Sequence, residues 1–117
     1  MIQSYRDMEI YQKSYKMALD IHNITKDFPE SEKYDLISQI KRCSKSIPTN
    51  IAEGYGRQSK EEFKRFLRIS LGSCDEMQVH LSFSKDLGYI SEEVYIELSK
   101  KYEEVGKMLN ITIQKWK

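Results

Sequence analysis

The chain has 117 residues, of which 39% are hydrophobic and 32% charged, and its formal net charge at pH 7 is +1. A single domain of this length buries roughly 65% of its unfolded surface around one core. No run of about 18 apolar residues exists and the first residues do not follow a signal-peptide pattern, so we expect a cytoplasmic protein without a membrane partner.

Charge is distributed unevenly along the chain. Residues 1–40 carry five basic and seven acidic side chains, residues 41–68 carry eight and three, and residues 69–117 carry six and eight. The basic excess is therefore concentrated in the central stretch, where it can create a local positive field that the net charge hides.

The first predicted helix spans about residues 7–27. Its apolar side chains recur every three or four residues and form a wide face, as in an amphipathic helix packed on a core. The helix is expected to stop before Pro29, because the residue preceding a proline disfavours the helical conformation. Ser31 then offers an N-cap for the next helix. The apolar face consists of Met8, Tyr11, Tyr15, Met17, Ala18, Ile21, His22, Ile24 and Phe28.

The second predicted helix spans about residues 32–54 and contains Pro48. Proline cannot donate to the carbonyl of Ser44, so the helix either kinks or restarts there. We expect a kink, because the apolar spacing continues past the proline. Gly54 and Gly56 are expected to end the helix, since glycine adopts the left-handed capping conformation without steric cost.

The third predicted helix spans about residues 60–87. Ser59 and Glu62 form a capping-box pattern, in which the serine accepts from the N3 amide and the glutamate accepts from the N-cap amide. Small side chains fill residues 70–74, which would let another helix approach closely. Gly88 provides the C-terminal stop.

The fourth predicted helix spans about residues 92–116, with Ser91 as its N-cap and two glutamates in its first turn. Its apolar residues follow a heptad-like spacing up to Trp116. Four helices of about 20 to 30 residues joined by short turns predict an all-α, antiparallel up-down-up-down four-helix bundle, because short connections make neighbouring helices antiparallel.

The sequence contains no recognisable catalytic or metal-binding pattern. Cys43 and Cys74 lie inside helical patterns without a second cysteine or a histidine at ligand spacing, which favours buried thiols over a disulfide or a metal site. His22 and His80 have no carboxylate or nucleophile at a spacing that would pair them for acid–base work. We therefore expect no enzyme activity, no metal and no cofactor.

One stretch carries a more specific pattern. Residues 46–57 read Ser-Ile-Pro-Thr-Asn-Ile-Ala-Glu-Gly-Tyr-Gly-Arg. This stretch resembles the 23S rRNA intervening-sequence protein family, and the resemblance extends over nearly the whole chain. The further matching positions are Ser59, Glu62-Phe63, Phe66-Leu67, Gly72-Ser73, Phe28-Pro29, Gln39, Arg42 and Leu87-Gly88-Tyr89. The chain departs from the family pattern at Tyr11, Asp35 and Cys43-Ser44.

The resemblance implies a four-helix protomer that assembles into a homopentamer. Members of the family are encoded within bacterial 23S rRNA genes or elsewhere in the chromosome, and their function is largely unknown. The accessory variability protein of diversity-generating retroelements is similar to the same bundle and is a pentameric barrel that binds nucleic acid. Nucleic-acid binding by this chain is therefore a hypothesis by analogy, since fold alone does not fix function.

The basic residues of the second and third helices support that hypothesis. Adjacent antiparallel helices can place two basic rows side by side as a phosphate-binding strip, which ring assembly would repeat. Alternatively, the same residues solvate the outer face and pair with glutamates four residues away. The candidate nucleic-acid-binding residues are Lys41, Arg42, Lys45, Arg57, Lys60, Lys64, Arg65 and Arg68.

A polar network is also expected beside the proline of the second helix. Asn50, Glu53 and Arg57, with Gln39 and Arg42, either lock this turn or contact a ligand directly. The sequence as a whole favours a non-enzymatic homo-oligomer that binds RNA or DNA. The alternative is a protein-interaction scaffold without nucleic-acid affinity, whose partner is an unidentified protein.

Overall fold

The computed structural model describes residues 1–115, and within that range helices are the only regular secondary structure. The all-α class is therefore confirmed, while the predicted end of the fourth helix at Trp116 lies outside the described residues. The α-helices are α1 (Glu9–Ile24), α2 (Leu36–Tyr55), α3 (Lys60–Asp86) and α4 (Glu92–Lys115). Short 3-10 helices cover Tyr5–Asp7, Thr25–Asp27 and Glu30–Glu32.

The first two α-helices are shorter than predicted, because the chain tightens into 3-10 turns at their ends. Such turns are common at helix termini. α2 begins at Leu36 rather than near residue 32, and Ser31 lies inside the preceding 3-10 turn instead of at an N-cap. The first N–H group of α2, that of Leu36, donates to Glu32 Oε1 at 3.4 Å.

α2 continues through Pro48 without restarting. In the turn before the proline, two hydroxyl groups bond to backbone carbonyls, as serine does inside helices. Ser44 Oγ donates to the carbonyl oxygen of Lys41 at 2.9 Å, and Ser46 Oγ donates to that of Cys43 at 2.8 Å. The pyrrolidine ring itself is buried, so the proline contributes to packing as well as to the backbone.

The end of α2 does not use a left-handed glycine, so the predicted cap was wrong. Gly56 is the C-cap residue with φ −73°, and the positive φ of this turn falls on Gln58 at 58°. Gly54 is buried inside the helix, where an added Cβ would lie 2.6 Å from Phe66 Cβ. Its role is therefore close packing of α2 on α3. After α3, Gly88 does adopt a positive φ of 82°.

The start of α3 uses half of the predicted capping box. Ser59 Oγ accepts from the backbone N–H of Glu62 at 3.3 Å. The carboxylate of Glu62 accepts instead from Arg65, whose Nε lies 3.0 Å from Oε2 and whose Nη2 lies 3.2 Å from Oε1. A charged guanidinium is a stronger partner for a carboxylate than a neutral amide.

The helices pack so that α1 and α3 each contact both α2 and α4, which puts α1 and α3 across the diagonal of the molecule. The principal extents are 43 × 23 × 21 Å. Among residues 1–115, no helix combines the length and apolar character that crossing a membrane requires. The fully buried side chains between the helices include Ile21, Ile40, Ile47, Ile51, Leu67, Met77, Leu81, Tyr102 and Leu109.

Small polar side chains join α2 to α3 along a line that we call the serine seam. Ser70 Oγ donates to the carbonyl oxygen of Ile47 at 2.9 Å. Ser46 Oγ lies 2.6 Å from Ser73 Oγ, and Cys43 Sγ donates to the carbonyl oxygen of Ser73 at 3.2 Å. The small stretch of the third helix thus allows the close approach that the sequence predicts.

Candidate nucleic-acid interface

Three of the candidate basic residues lie along one face of α2. Lys41, Arg42 and Lys45 fall within two turns of the helix, and Lys33 precedes its start. These four cations border an open groove of about 410 Å³ that we call the α2 groove, and no carboxylate is among its lining residues. The remaining lining residues are Tyr34, Ile37 and Ser38.

Tyr34 gives the α2 groove an aromatic surface. Its side chain is 88% exposed, and Lys33 Nζ lies 5.4 Å from the centre of its ring. Neither Lys33 nor Tyr34 is among the candidates predicted from the sequence, since both lie outside residues 41–68, where the basic excess is concentrated. The sequence does show a lysine directly before a tyrosine at these positions, and nucleic-acid-binding surfaces combine these two residue types.

The positive field of α2 extends towards α1. Burial lowers the pKa of His22, and the charges of Lys41 and Lys45 lower it further. His22 Nε2 is buried and has no hydrogen-bond partner among the described residues. At neutral pH His22 is therefore uncharged. The positive charge on this side of the molecule comes from Lys41 and Lys45 and not from the histidine.

Two candidate arginines are partly neutralised by glutamates. Arg65 makes the two-pronged pair with Glu62, and this hydrogen bond holds the pKa of the carboxyl below its usual range. Arg57 Nη2 lies 3.8 Å from Glu53 Oε2. The two guanidinium groups lie 4.7 Å (Arg65) and 5.1 Å (Arg57) from the centre of the Phe66 ring. In each arginine the charge is therefore near a glutamate and the guanidinium plane is near the Phe66 ring, so both are less available to a phosphate.

The candidates on α3 lie beside those on α2 only in part. Because Ile47 is opposite Ser70 across the seam, Lys41 and Lys64 are separated by about 18 Å along the helix axes at 1.5 Å per residue, whereas Lys45 and Arg68 are separated by only about 6 Å. The two basic rows therefore approach each other at one end and diverge at the other. Of the remaining candidates, Lys60 and Arg68 are exposed and Lys64 is half-buried.

The polar residues around Pro48 make separate contacts, each between residues four apart in the chain. Asn50 Nδ2 donates to the carbonyl oxygen of Ser46 at 2.7 Å. The described residues therefore brace α2 turn by turn and do not form the expected single network. The other contacts are Glu53 with Arg57 at 3.8 Å, Gln39 Nε2 with Asp35 Oδ1 at 2.9 Å and Arg42 Nη2 with Ser38 Oγ at 3.5 Å.

A cluster that sequence reasoning missed joins α2 to α3. His80 Nε2 lies 3.0 Å from Glu76 Oε2. The expectation that no carboxylate pairs with either histidine was therefore wrong for His80, because residues four apart share one face of a helix. Cys43 of α2 brings a third ligand-type atom, and the three atoms lie within 4.8 Å of one another.

The thiol of this cluster is not an activated nucleophile. Burial raises the pKa of Cys43 to about 12, and the nearby Glu76 carboxylate raises it as well. At neutral pH the sulfur is a protonated thiol, whereas nucleophilic catalysis requires the thiolate.

Comparisons with known proteins agree with this fold. A family model described as 23S rRNA-intervening sequence protein matches residues 6–111. The chain is also similar to a protein of unknown function from the S23 ribosomal protein family of Bacteroides thetaiotaomicron VPI-5482, whose crystal structure was determined at 1.70 Å resolution. The two share 30% sequence identity with a TM-score of 0.82, over 89% of this chain and 97% of the other. No curated protein matches the chain significantly.

Proposed function

The chain belongs to the 23S rRNA-intervening sequence protein family, and from this premise we propose that it is a non-enzymatic oligomer that binds single-stranded nucleic acid through the α2 groove. The similar protein of known structure is itself of unknown function, so the proposal depends on the surface of this chain. The observation that carries it is the composition of the groove, which combines four cations and the exposed ring of Tyr34 without a carboxylate.

Each component of the groove fits one component of a nucleic-acid strand. Lysine and arginine neutralise phosphates and release condensed counterions, which makes binding strongly dependent on salt. An exposed tyrosine offers a face on which an unpaired base can stack, a contact worth about 1–3 kcal/mol. Bases inside a duplex are already stacked, so the ring favours a single strand.

The assembly part of the proposal is supported by exposed apolar side chains on two different helices. On α1, Tyr15 and Leu19 are 50% and 56% exposed, and on α3, Val79 and Phe83 are 54% and 55% exposed. In an antiparallel four-helix bundle these faces point away from each other, since α1 and α3 lie across the diagonal. A contact between two unlike faces joins copies head to tail and closes into a ring when the rotation permits, which fits the expected homopentamer.

The experiment that tests nucleic-acid binding compares two charge-matched variants. The groove variant combines Lys33→Glu, Arg42→Glu and Lys45→Glu, and the α3 variant combines Lys60→Glu, Lys64→Glu and Arg68→Glu. Both lower the net charge equally. Affinity for labelled single-stranded RNA, single-stranded DNA and duplex DNA is measured by fluorescence anisotropy as salt is raised. We expect micromolar binding of single strands by the wild type.

The groove variant should lose most of this affinity, and the slope of log K against log salt should fall by roughly 0.7 for each lost phosphate contact. The α3 variant should retain the wild-type slope. Tyr34→Ala should weaken single-strand binding more than duplex binding. Equal losses in both triple variants would show that only overall charge matters, and the groove would then not be the binding site.

The protein-interaction scaffold is the second candidate function. A basic groove also fits an acidic protein surface, so electrostatics alone does not distinguish the two partners. Failure of the wild type to bind any of the three polymers at low salt would reject nucleic-acid binding and favour the scaffold.

A further inference from the structure

The cluster of Cys43, Glu76 and His80 contains three different kinds of metal-ligating atom. The sulfur comes from the middle of α2, while the carboxylate and the imidazole come from consecutive turns of α3. The serine seam holds these helices close together, and Cys43 Sγ already lies 3.2 Å from the backbone carbonyl of Ser73. The packing of the helices therefore places Cys43 directly against α3, on the same side as Glu76 and His80.

The spacing of the three atoms is close to that of a bound ion. All of them lie within 4.8 Å of one another, and the carboxylate and imidazole atoms are only 3.0 Å apart. A tetrahedral Zn²⁺ with the usual bond lengths separates its ligand atoms by about 3.4–3.6 Å. Side-chain rotations without backbone movement can provide a change of this size.

We propose that Cys43, Glu76 and His80 form a binding site for one Zn²⁺ ion or a similar thiophilic divalent transition-metal ion. Thiolate and imidazole ligands select such ions, whereas Mg²⁺ and Ca²⁺ prefer oxygen atoms alone. Three protein ligands leave one tetrahedral position for water. This site is independent of the α2 groove and of nucleic-acid binding.

Burial and charge suit this occupant. Cys43 is 5% exposed and His80 is 7% exposed, while the side chain of Glu76 is 59% exposed. The ion would thus enter past the glutamate and reach two shielded ligands. When the sulfur–metal bond forms, Cys43 releases its proton to solvent, and imidazole coordinates through a neutral Nε2. One thiolate and one carboxylate then balance the two positive charges.

The site would add a metal link between two helices that already pack through apolar side chains and the serine seam. An ion held by α2 and α3 would tie them together at the Cys43 end of the serine seam. Because binding requires the folded arrangement of both helices, the ion should stabilise the folded protein.

The experiment uses the full chain with Co²⁺, a spectroscopic substitute for Zn²⁺. We expect one equivalent to bind, with intense visible absorption from a tetrahedral site and a thiolate-to-cobalt charge-transfer band in the near ultraviolet. Added Zn²⁺ should displace the cobalt and raise the Tm. Cys43→Ala should abolish the charge-transfer band, and Glu76→Gln and His80→Gln should each weaken binding at least about tenfold.

Two matched controls separate this site from adventitious binding. Cys74→Ala removes the other buried thiol, which lies on α3 near the cluster, and Asp75→Asn removes a carboxylate adjacent to Glu76 in sequence. Both variants should bind Co²⁺ as the wild type does. Circular dichroism establishes that each variant is folded.

The proposal would be overturned if the wild type showed no thiolate-to-cobalt band with excess Co²⁺. It would also be overturned if folded Cys43→Ala bound Co²⁺ with the wild-type spectrum, or if Cys74→Ala lost the band. In the first case Glu76 and His80 form only an ordinary hydrogen-bonded pair on α3.

Discussion

Gly54 and Gly72 show how one residue type has opposite roles on two packed helices. At Gly54 an added Cβ would lie 2.6 Å from Phe66 Cβ and 3.3 Å from Phe63 Cδ1. At Gly72 an added Cβ would meet nothing within 4 Å. Gly54 is therefore needed because a larger residue would collide with α3. At Gly72 an alanine would fit and would favour the helix more than glycine does.

We therefore predict opposite effects of the same substitution. Gly54→Ala should lower the free energy of unfolding by about 1–3 kcal/mol, because the contact on α3 must open. Gly72→Ala should raise it by about 0.5–1 kcal/mol, because alanine restricts the unfolded chain and favours the helix. Urea denaturation of both variants measures the difference. A stabilising Gly54→Ala would contradict the close contact between the helices.

The sequence does not distinguish these two glycines. Gly54 stands two residues before Gly56, and the pair reads as a helix stop, but the decisive neighbour Phe66 comes from another helix. The same limit applies to Glu76 and His80. Their spacing of four is visible in the sequence, yet Cys43 joins them only because α2 packs on α3.

Among the elements, the starts of α3 and α4 have serine N-caps. Ser59 Oγ accepts from the N–H of Glu62 at 3.3 Å, and Ser91 Oγ accepts from that of Val94 at 3.1 Å. Ser31, which the sequence equally suggests as a cap, lies within a 3-10 turn. The three serines therefore form a natural comparison.

Ser59→Ala and Ser91→Ala should each lower the free energy of unfolding by about 1 kcal/mol, because each leaves an amide at the helix start without its partner. The two effects should add, since the residues lie at the starts of different helices. Ser31→Ala should change stability by less than about 0.5 kcal/mol, as is usual for a surface substitution. Chemical denaturation of the single and double variants provides the test. A loss for Ser31→Ala as large as for Ser59→Ala would contradict this assignment.

The number and order of the helices follow from the sequence because apolar periodicity and N-cap serines are local signals. The exact ends of α1 and α2 do not, because 3-10 turns and α-helix share the same residue preferences over three or four positions. Pro48 is a further example of what the sequence alone does not determine. Whether a helix continues through a proline depends on the packing around it, and here α2 continues.

For the whole molecule, the exposed apolar residues of α3 are the expected contact between copies. If the protein assembles as proposed, Val79→Glu combined with Phe83→Glu should leave a 13.9 kDa monomer, because burying two carboxylates in an apolar contact is costly. Size-exclusion chromatography with light scattering measures the mass. Ile96→Glu, which changes a 45% exposed residue of α4, is the control and should leave assembly intact. A wild type that is monomeric at micromolar concentration would refute assembly itself.

The residues of the candidate nucleic-acid interface could be predicted only in part from the sequence. The basic excess of residues 41–68 is evident from counting, and Lys41, Arg42 and Lys45 do lie together in the α2 groove. The spacing of four residues also indicates the contact between Glu53 and Arg57. The sequence does not show that Arg65 pairs with Glu62, three residues away, or that Lys33 and Tyr34 join the same groove. Those facts depend on side-chain partners and on where α2 begins.

The serine seam has a consequence for the geometry of any assembly. Its hydrogen bonds join specific hydroxyl and carbonyl groups, so sliding α2 along α3 by one turn would break all of them together. The axial register of the two helices is thereby locked. In a ring joined through α3, every α2 groove would then stand at the same height and repeat at a constant interval. A single-stranded nucleic acid that followed such a ring would encounter identical grooves at equal intervals. The distance between its phosphates would then determine how many grooves it can occupy.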